Sequence, residues 1–131
     1  MPSIDKIGII VYSDDPKSLA MAMNLGQVAL AMDTEVVVYF TFDGLSHLMA
    51  GEKDLGDFER MVEAGVPDPY EMLADFVETG DELVTTVACT TTIDMLGWDR
   101  EGMDDAVTTE FAGAAAFLDE TSDAAHVFSF G

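Results

Sequence analysis

The chain alternates between short apolar runs and longer segments in which apolar residues recur at helical spacing. Four of the runs are almost continuous and rich in β-branched residues, which is typical of strands covered on both faces of a sheet. They are residues 7–12, 35–40, 83–88 and 125–130. Because strands joined by helical crossovers pair in parallel, this order of elements predicts a mostly parallel sheet of about five strands.

Helix signals separate the apolar runs. Two Asp-Pro pairs, at residues 15–16 and 68–69, each place a carboxylate to cap a helix whose first turn accepts a proline. The predicted helices are residues 16–32, 69–80, 44–50, 91–98 and 107–118. Strand and helix therefore alternate through a single domain, residues 1–131, and the predicted fold class is three-layer α/β/α. Residues 51–66 carry no clear pattern.

The helix predicted over residues 16–32 is apolar around most of its circumference, since Ala, Met and Leu hold most positions. A helix of that kind needs burial on more than one face. The sheet covers one face, and either a neighbouring subunit or a long loop covers another. The pattern favours a homo-oligomer.

The net charge of the chain limits the classes of partner that it can bind. Twenty-six acidic residues and five basic ones give a formal net charge of −21. So few cations cannot neutralise a nucleic-acid backbone or hold an anionic membrane surface. The acidic residues are dispersed, and only three of the cations are lysines, which is typical of a protein adapted to high salt. An acidic protein of an ordinary cytosol is the alternative.

Cys89 is the one cysteine of the chain, so neither an intramolecular disulfide nor a multi-cysteine zinc site can form. The opening MPSIDKIGII does not have the pattern of a secretory signal, and the apolar stretch at residues 19–32 is too short to span a bilayer. Neither G-x-G-x-x-G nor a P-loop occurs. We therefore expect a cytoplasmic protein without a cofactor, a metal or a membrane contact.

Candidate functional residues lie where the predicted strands end, because ligands of open α/β sheets bind outside the carboxyl ends of the strands. Ser13, Thr41, Asp43 and Cys89 all follow or close such a strand. Cys89 is predicted to stand just before a helix, whose dipole and free amides stabilise a thiolate. On this interpretation the sulfur faces solvent. The alternative is a buried, inert thiol, since free cysteine is among the most buried residue types.

Two sequence segments resemble those of a known protein family. FTFDGLSHL at residues 40–48 and ACTTTIDMLGW at residues 88–98 resemble the DsrE/DsrF-like family of sulfur-relay proteins. The likeness continues through EFAGAAAFLDE and the terminal FSF, and its most specific part is Ala-Cys followed by Asp94, a hydrophobic pair and Gly97. The resemblance implies a small α/β fold and homo-oligomers built as trimers or hexamers. It also implies that Cys89 accepts persulfide sulfur from a donor protein and passes it to an acceptor protein.

The sequence departs from the family pattern in places. Thr91 and Thr92 stand where relatives often have Met and Ser, there is no second cysteine, and residues 51–66 match poorly. The alternative function is a non-catalytic oligomeric scaffold or small-ligand binding module of the same fold, with an inert buried cysteine.

Several polar residues near Cys89 are candidates for supporting roles. Thr90 and Thr91 either donate hydrogen bonds to the sulfur or, as we expect, cap the following helix. Asp94 is expected to satisfy nearby backbone N–H groups. His47 either polarises the thiol or, as we expect, is a surface helix histidine. His126 is expected to be a partly exposed strand residue.

Thermal unfolding at different salt concentrations tests the proposed adaptation to salt. At about 1 M KCl the Debye length falls to about 3 Å, so repulsion between carboxylates is screened and the midpoint temperature should rise. The measurement is the melting midpoint at low and at molar KCl, with KCl replaced by an uncharged osmolyte as the control. Equal midpoints in the two KCl solutions would contradict the hypothesis.

Overall fold

The computed structural model describes residues 5–131. Its sheet has five strands, all parallel, in the order β4-β3-β2-β1-β5. The strands are β1 (Lys6–Val11), β2 (Glu35–Phe40), β3 (Val84–Cys89), β4 (Glu110–Ala112) and β5 (His126–Phe130). The helices are α1 (Pro16–Ala31), α2 (Glu59–Glu63), α3 (Pro69–Gly80), α4 (Thr90–Leu96) and α5 (Ala114–Glu120). Turns of 3-10 helix cover Phe42–Leu48, Gly56–Phe58, Asp81–Leu83 and Arg100–Gly102.

Helices α1 and α3 cover one face of the sheet and pack closely on each other. Gly26 of α1 lies against the ring of Phe76 of α3, where a β-carbon would come within 2.8 Å of a ring carbon. Both predicted caps are confirmed. The Asp15 carboxylate accepts a hydrogen bond from the Lys17 N–H at 2.9 Å, and Asp68 accepts from the Tyr70 N–H at 2.8 Å.

Helix α5 covers the opposite face. The Phe117 ring of α5 stacks on the Tyr39 ring of β2, with 5.0 Å between centroids. Gly8 of β1 makes room for α5, since a β-carbon there would lie 2.9 Å from Thr121 Cγ2. The predicted three-layer α/β/α fold is therefore confirmed. No helix within residues 5–131 is long and apolar enough to cross a bilayer.

One element differs from its prediction. In place of a single helix over residues 107–118, the chain forms the short edge strand β4 and then α5, with Gly113 between them. Strand β4 is held to β3 by Thr86 and Thr109. The Thr86 N–H donates to Thr109 Oγ1 at 2.8 Å, and the Thr109 N–H donates to the Thr86 carbonyl at 3.1 Å. Pairing with β3 therefore overrides the helical spacing of the apolar residues.

The carboxyl ends of the three central strands are level, because Val11 pairs with Phe40 and Phe40 with Ala88. The 3-10 turn that follows β2 lies directly on the end of β1. Gly44 of this turn contacts the backbone of β1, and a β-carbon at Gly44 would collide with the Val11 carbonyl oxygen. The turn can approach β1 this closely only because residue 44 has no side chain.

Replacing Gly44 with alanine tests this close contact. Because the Val11 backbone cannot move aside easily, Gly44→Ala should lower the free energy of unfolding by about 1–3 kcal/mol. The matched control is Gly102→Ala, since a β-carbon there would meet no atom within 4 Å beyond its own stretch of chain. Urea unfolding in KCl solution measures both variants. Equal losses in the two variants would contradict the contact.

Candidate functional site

Cys89 is the last residue of β3 and the N-cap residue of α4, as predicted. Its side chain is a free thiol. The expectation that the sulfur faces solvent is wrong, because Cys89 is only 3% exposed. Tyr39, Thr41 and Thr92 are buried with it, so the walls of the site carry hydroxyl groups as well as apolar atoms.

Two hydroxyl groups donate hydrogen bonds to the Cys89 sulfur. The Tyr39 hydroxyl lies 3.0 Å from Sγ and the Thr92 hydroxyl lies 3.3 Å from it. Thr92 Oγ1 is in turn 3.2 Å from the Thr41 hydroxyl and accepts a bond from the Phe42 N–H at 3.4 Å. Since the Thr92 proton points to the sulfur, Thr41 is the donor to Thr92. The Tyr39 hydroxyl of β2 thus bonds the sulfur directly, and the Thr41 hydroxyl reaches it through Thr92 of α4.

Burial and hydrogen bonding act in opposite directions on the Cys89 thiol. Burial raises its pKa, because an apolar surrounding disfavours the thiolate. Hydrogen bonds from the Thr92 hydroxyl, the Tyr39 hydroxyl and the Thr92 backbone N–H outweigh burial and lower the pKa to about 7. Burial, and then the bond to Cys89, raises the pKa of Tyr39 to about 12. Tyr39 therefore remains a donor at neutral pH, where a substantial share of Cys89 is thiolate.

Strand register explains why these residues meet. Side chains alternate between the faces of a sheet, and Phe40 pairs with Ala88, so Tyr39, Thr41 and Cys89 share one face. The sequence pattern did not single out Tyr39 or Thr92. Tyr39 could have been found by aligning the predicted ends of the two strands, because it lies two residues before the candidate Thr41.

The neighbouring candidates on α4 contribute less than expected. Thr90 and Thr91 occupy the first two positions of the helix, and no side chain caps its N-terminus. The expectation that they cap α4 is therefore wrong, and the hydroxyl of this helix that bonds the sulfur belongs to Thr92. Thr91 and Asp94 are exposed, and within the described chain the Asp94 carboxylate makes no hydrogen bond to backbone N–H groups.

His47 is buried in the 3-10 turn after β2, so the expectation of a surface histidine is wrong. Its Nε2 lies 2.8 Å from the Ser13 carbonyl, which can only accept, so Nε2 carries the proton and Nδ1 accepts from the Tyr70 hydroxyl at 2.8 Å. Burial lowers the pKa of His47 and keeps the ring neutral. Because both ring nitrogens are engaged away from Cys89, His47 supports the turn and does not contact the thiol.

The Ser13 carbonyl accepts the hydrogen bond from His47 Nε2, and the Ser13 hydroxyl accepts one from the Asp15 N–H at 3.1 Å. Asp43 is exposed beside Phe42. His126 is exposed at the start of β5, which fits its expected place on a strand. The structure therefore brings Thr41 to the sulfur and leaves Ser13, Asp43 and His126 apart from it.

Comparison with known proteins identifies the family to which this chain belongs. The profile of the DsrE/DsrF-like family matches residues 5–130. The chain belongs to the DsrE/DsrF-like family. Among solved structures, a protein of unknown function from Methanobacterium thermoautotrophicum superposes with a TM-score of 0.64 at 15% identity, covering 95% of this chain and 98% of that one. This likeness is one of fold alone. No curated protein sequence matches the chain.

Phe42 is an unusual residue of this DsrE/DsrF-like domain. Its backbone has φ of +48°, in the left-handed region, and its side chain is 66% exposed. That conformation costs a non-glycine residue about 1–2 kcal/mol, so surrounding contacts must hold it. The bond from the Phe42 N–H to Thr92 Oγ1 is one of these contacts. The strained residue is therefore linked through one hydroxyl to the sulfur.

The rate of alkylation by iodoacetamide as a function of pH tests the arrangement around Cys89. The thiolate is the reactive form, so the rate should rise with pH with a midpoint near 7. Tyr39→Phe and Thr92→Val each remove a donor to the sulfur, which disfavours the thiolate and raises the midpoint. The expected rise is about one to two pH units, since a hydrogen bond to a charged group contributes about 1.5–3 kcal/mol and one pKa unit is about 1.4 kcal/mol.

Thr91→Val is the matched control, because Thr91 is exposed and its hydroxyl does not bond the sulfur. Its midpoint should equal that of the wild type. Wild-type midpoints in both Tyr39→Phe and Thr92→Val would show that the two hydroxyls do not set the pKa of Cys89.

Proposed function

We propose that this protein is a sulfur carrier that holds a sulfane sulfur on Cys89 as a persulfide and passes it between partner proteins. The observation that carries the proposal is the buried sulfur with hydrogen bonds from the Tyr39 and Thr92 hydroxyls, which stabilise a thiolate near neutral pH. A thiolate is the nucleophile of sulfur exchange. Membership of the DsrE/DsrF-like family supports the same chemistry.

The proposed reaction has two balanced steps. The Cys89 thiolate attacks the outer sulfur of a donor persulfide, a Cys89 persulfide forms, and the donor leaves as a thiolate. An acceptor thiolate then attacks the outer sulfur on Cys89, takes it as a persulfide, and regenerates the Cys89 thiolate. Each step forms one S–S bond and breaks another, so no external oxidant or reductant is needed. A single cysteine suits such a carrier, because no second thiol is present to form a disulfide.

Access to the sulfur is a requirement of this reaction. With Cys89 only 3% exposed, an incoming thiolate reaches Sγ only after the residues covering it move. Helix α4 and the residues after β2 carry the hydrogen bonds that close the site. A donor or acceptor protein that binds at this edge of the sheet is suited to open it.

The burial of Cys89 also favours a second candidate function. A buried free cysteine often acts as a small hydrophobe, so the protein would then be a non-catalytic oligomeric scaffold or a small-ligand binding module. Two open grooves, of about 450 and 500 Å³, lie along α1 and α3 and away from Cys89. Such grooves are of a size that small ligands occupy.

We further propose that the carrier is a cytoplasmic homo-oligomer, either a trimer or a hexamer. The outer side of α1 supports this, since Val28 and Met32 are exposed and line an apolar groove of about 130 Å³ with Phe128 of β5. None of the residues that line this groove is acidic, although the chain has 26 acidic residues. Copies of the chain can bury these apolar side chains against one another, with Asp33 and Glu35 at the border of the contact.

Sulfur loading tests the carrier function. Native protein treated with inorganic polysulfide and freed of excess reagent should gain the mass of one sulfur atom in intact-mass spectrometry. Cys89→Ser should gain none, and cyanide treatment should return the wild type to its original mass. No gain at any polysulfide concentration, together with alkylation of Cys89 only after denaturation, would contradict the carrier and favour the scaffold.

A further inference from the structure

We propose that the exposed apolar side chains of Phe42, Met95 and Leu96, the rim patch, form the docking surface for a protein whose reactive cysteine lies in an apolar, positively charged segment. The inference rests on the proposed carrier function and names the chemistry of its partner. It does not depend on which pathway supplies or uses the sulfur.

The rim patch lies beside the residues that bond the sulfur. Phe42 follows β2, and its N–H donates to the Thr92 hydroxyl that bonds Cys89. Met95 and Leu96 come three and four residues after Thr92 on α4, so they lie on the same side of the helix one turn later. The three apolar side chains therefore border the edge at which Cys89 is buried.

The side chains of the rim patch have no cover within the described chain. Phe42 is 66% exposed, Leu96 is 47% exposed, and Met95, at 79%, is the most exposed large apolar side chain in residues 5–131. Within α4 only Thr92 and Ile93 are buried, so the helix packs through these two residues and leaves Met95 and Leu96 uncovered. Large apolar side chains clustered beside a functional group mark a binding surface, and methionine adapts its shape to a partner.

Charge identifies the kind of partner. Asp43 adjoins Phe42 and Asp94 adjoins Met95, and both carboxylates are exposed. Arg100, the cation that follows α4, lies over the Phe111 ring at 5.5 Å. The rim patch is therefore apolar with a negative border, which complements an apolar segment that carries lysine or arginine. A second copy of this chain would bring the same carboxylates to the contact.

A partner protein that contacts Phe42 also affects the buried site around Cys89. The Phe42 backbone is strained and bonded to Thr92 Oγ1, so displacing Phe42 alters the environment of the hydroxyl that holds the sulfur. A docked partner can thus expose the Cys89 persulfide to its own thiolate. That thiolate takes the outer sulfur as a new persulfide, and Cys89 leaves as a thiolate, with no net oxidation.

The experiment measures how fast persulfide-loaded protein discharges its sulfur to three thiols. Two are synthetic peptides of equal length, one with leucine and lysine around its cysteine and one with leucine and glutamate. The third is 2-mercaptoethanol, which needs no docking surface. Rates are compared at the lowest KCl concentration that supports cooperative folding. We expect the lysine peptide to react about tenfold faster than the glutamate peptide, and salt to reduce this preference.

Two variants separate docking from chemistry. Met95→Gln/Leu96→Gln should slow discharge to the lysine peptide about tenfold and leave discharge to 2-mercaptoethanol within about twofold, since only docking is impaired. Asp43→Lys/Asp94→Lys should reverse the preference between the two peptides. The matched control, Met61→Gln/Leu83→Gln, replaces exposed apolar residues of α2 and of the turn before β3 and should behave as the wild type.

The possible failures are distinguishable. If polysulfide loads no sulfur on Cys89, the carrier function itself fails. If sulfur loads and 2-mercaptoethanol removes it, but Met95→Gln/Leu96→Gln discharges to the lysine peptide at the wild-type rate, the docking surface is overturned. Light scattering gives the remaining outcome, because dissociation of an oligomer by the same variant would assign the rim patch to contacts between copies and overturn the proposal.

Discussion

The parallel register between β2 and β3 is the constraint on which the candidate site depends. It pairs Phe40 with Ala88, and so places Tyr39 and Thr41 on the same face as Cys89. A slip of one residue would turn the Tyr39 ring toward α1 and α3 and remove its hydroxyl from the sulfur. The stacking of Phe117 on Tyr39 opposes such a slip, because it fixes the ring under α5. The register and packing of the sheet thereby affect the pKa of the Cys89 thiol.

Local sequence signals predicted most of the fold. Almost continuous apolar runs located four strands, and the two Asp-Pro pairs located the starts of α1 and α3, because caps and buried strands are encoded within a few residues. Strand β4 was not predicted. Its three residues pair with Val87–Cys89 of β3, and the bonds between Thr86 and Thr109 precede this pairing; no local pattern encodes contacts between residues 23 apart.

The candidate site was predictable in its position but not in its environment. The order of strand and helix placed Cys89 at the end of β3, since that placement needs only the neighbouring elements. Its burial, its bonds to Tyr39 and Thr92, and the burial of His47 depend on elements distant in sequence. Because the hydroxyl donors come from separate elements, the sequence alone could not show that they outweigh burial and lower the pKa of Cys89.

The neutral ring of His47 has a consequence for how a thiol can approach. It ties the turn after β2 to Ser13 on one side and to Tyr70 of α3 on the other, and Gly44 rests on the backbone of β1. These contacts anchor the turn at Gly44 and His47, whereas Phe42 and the outer side of α4 are exposed, so the site can open only on their side. Displacement at sulfur requires the attacking and leaving atoms to lie in line. If the Cys89 site opens on one side only, the incoming thiolate can approach the sulfur only from that side. The difference between its anchored and exposed sides therefore selects thiols by shape.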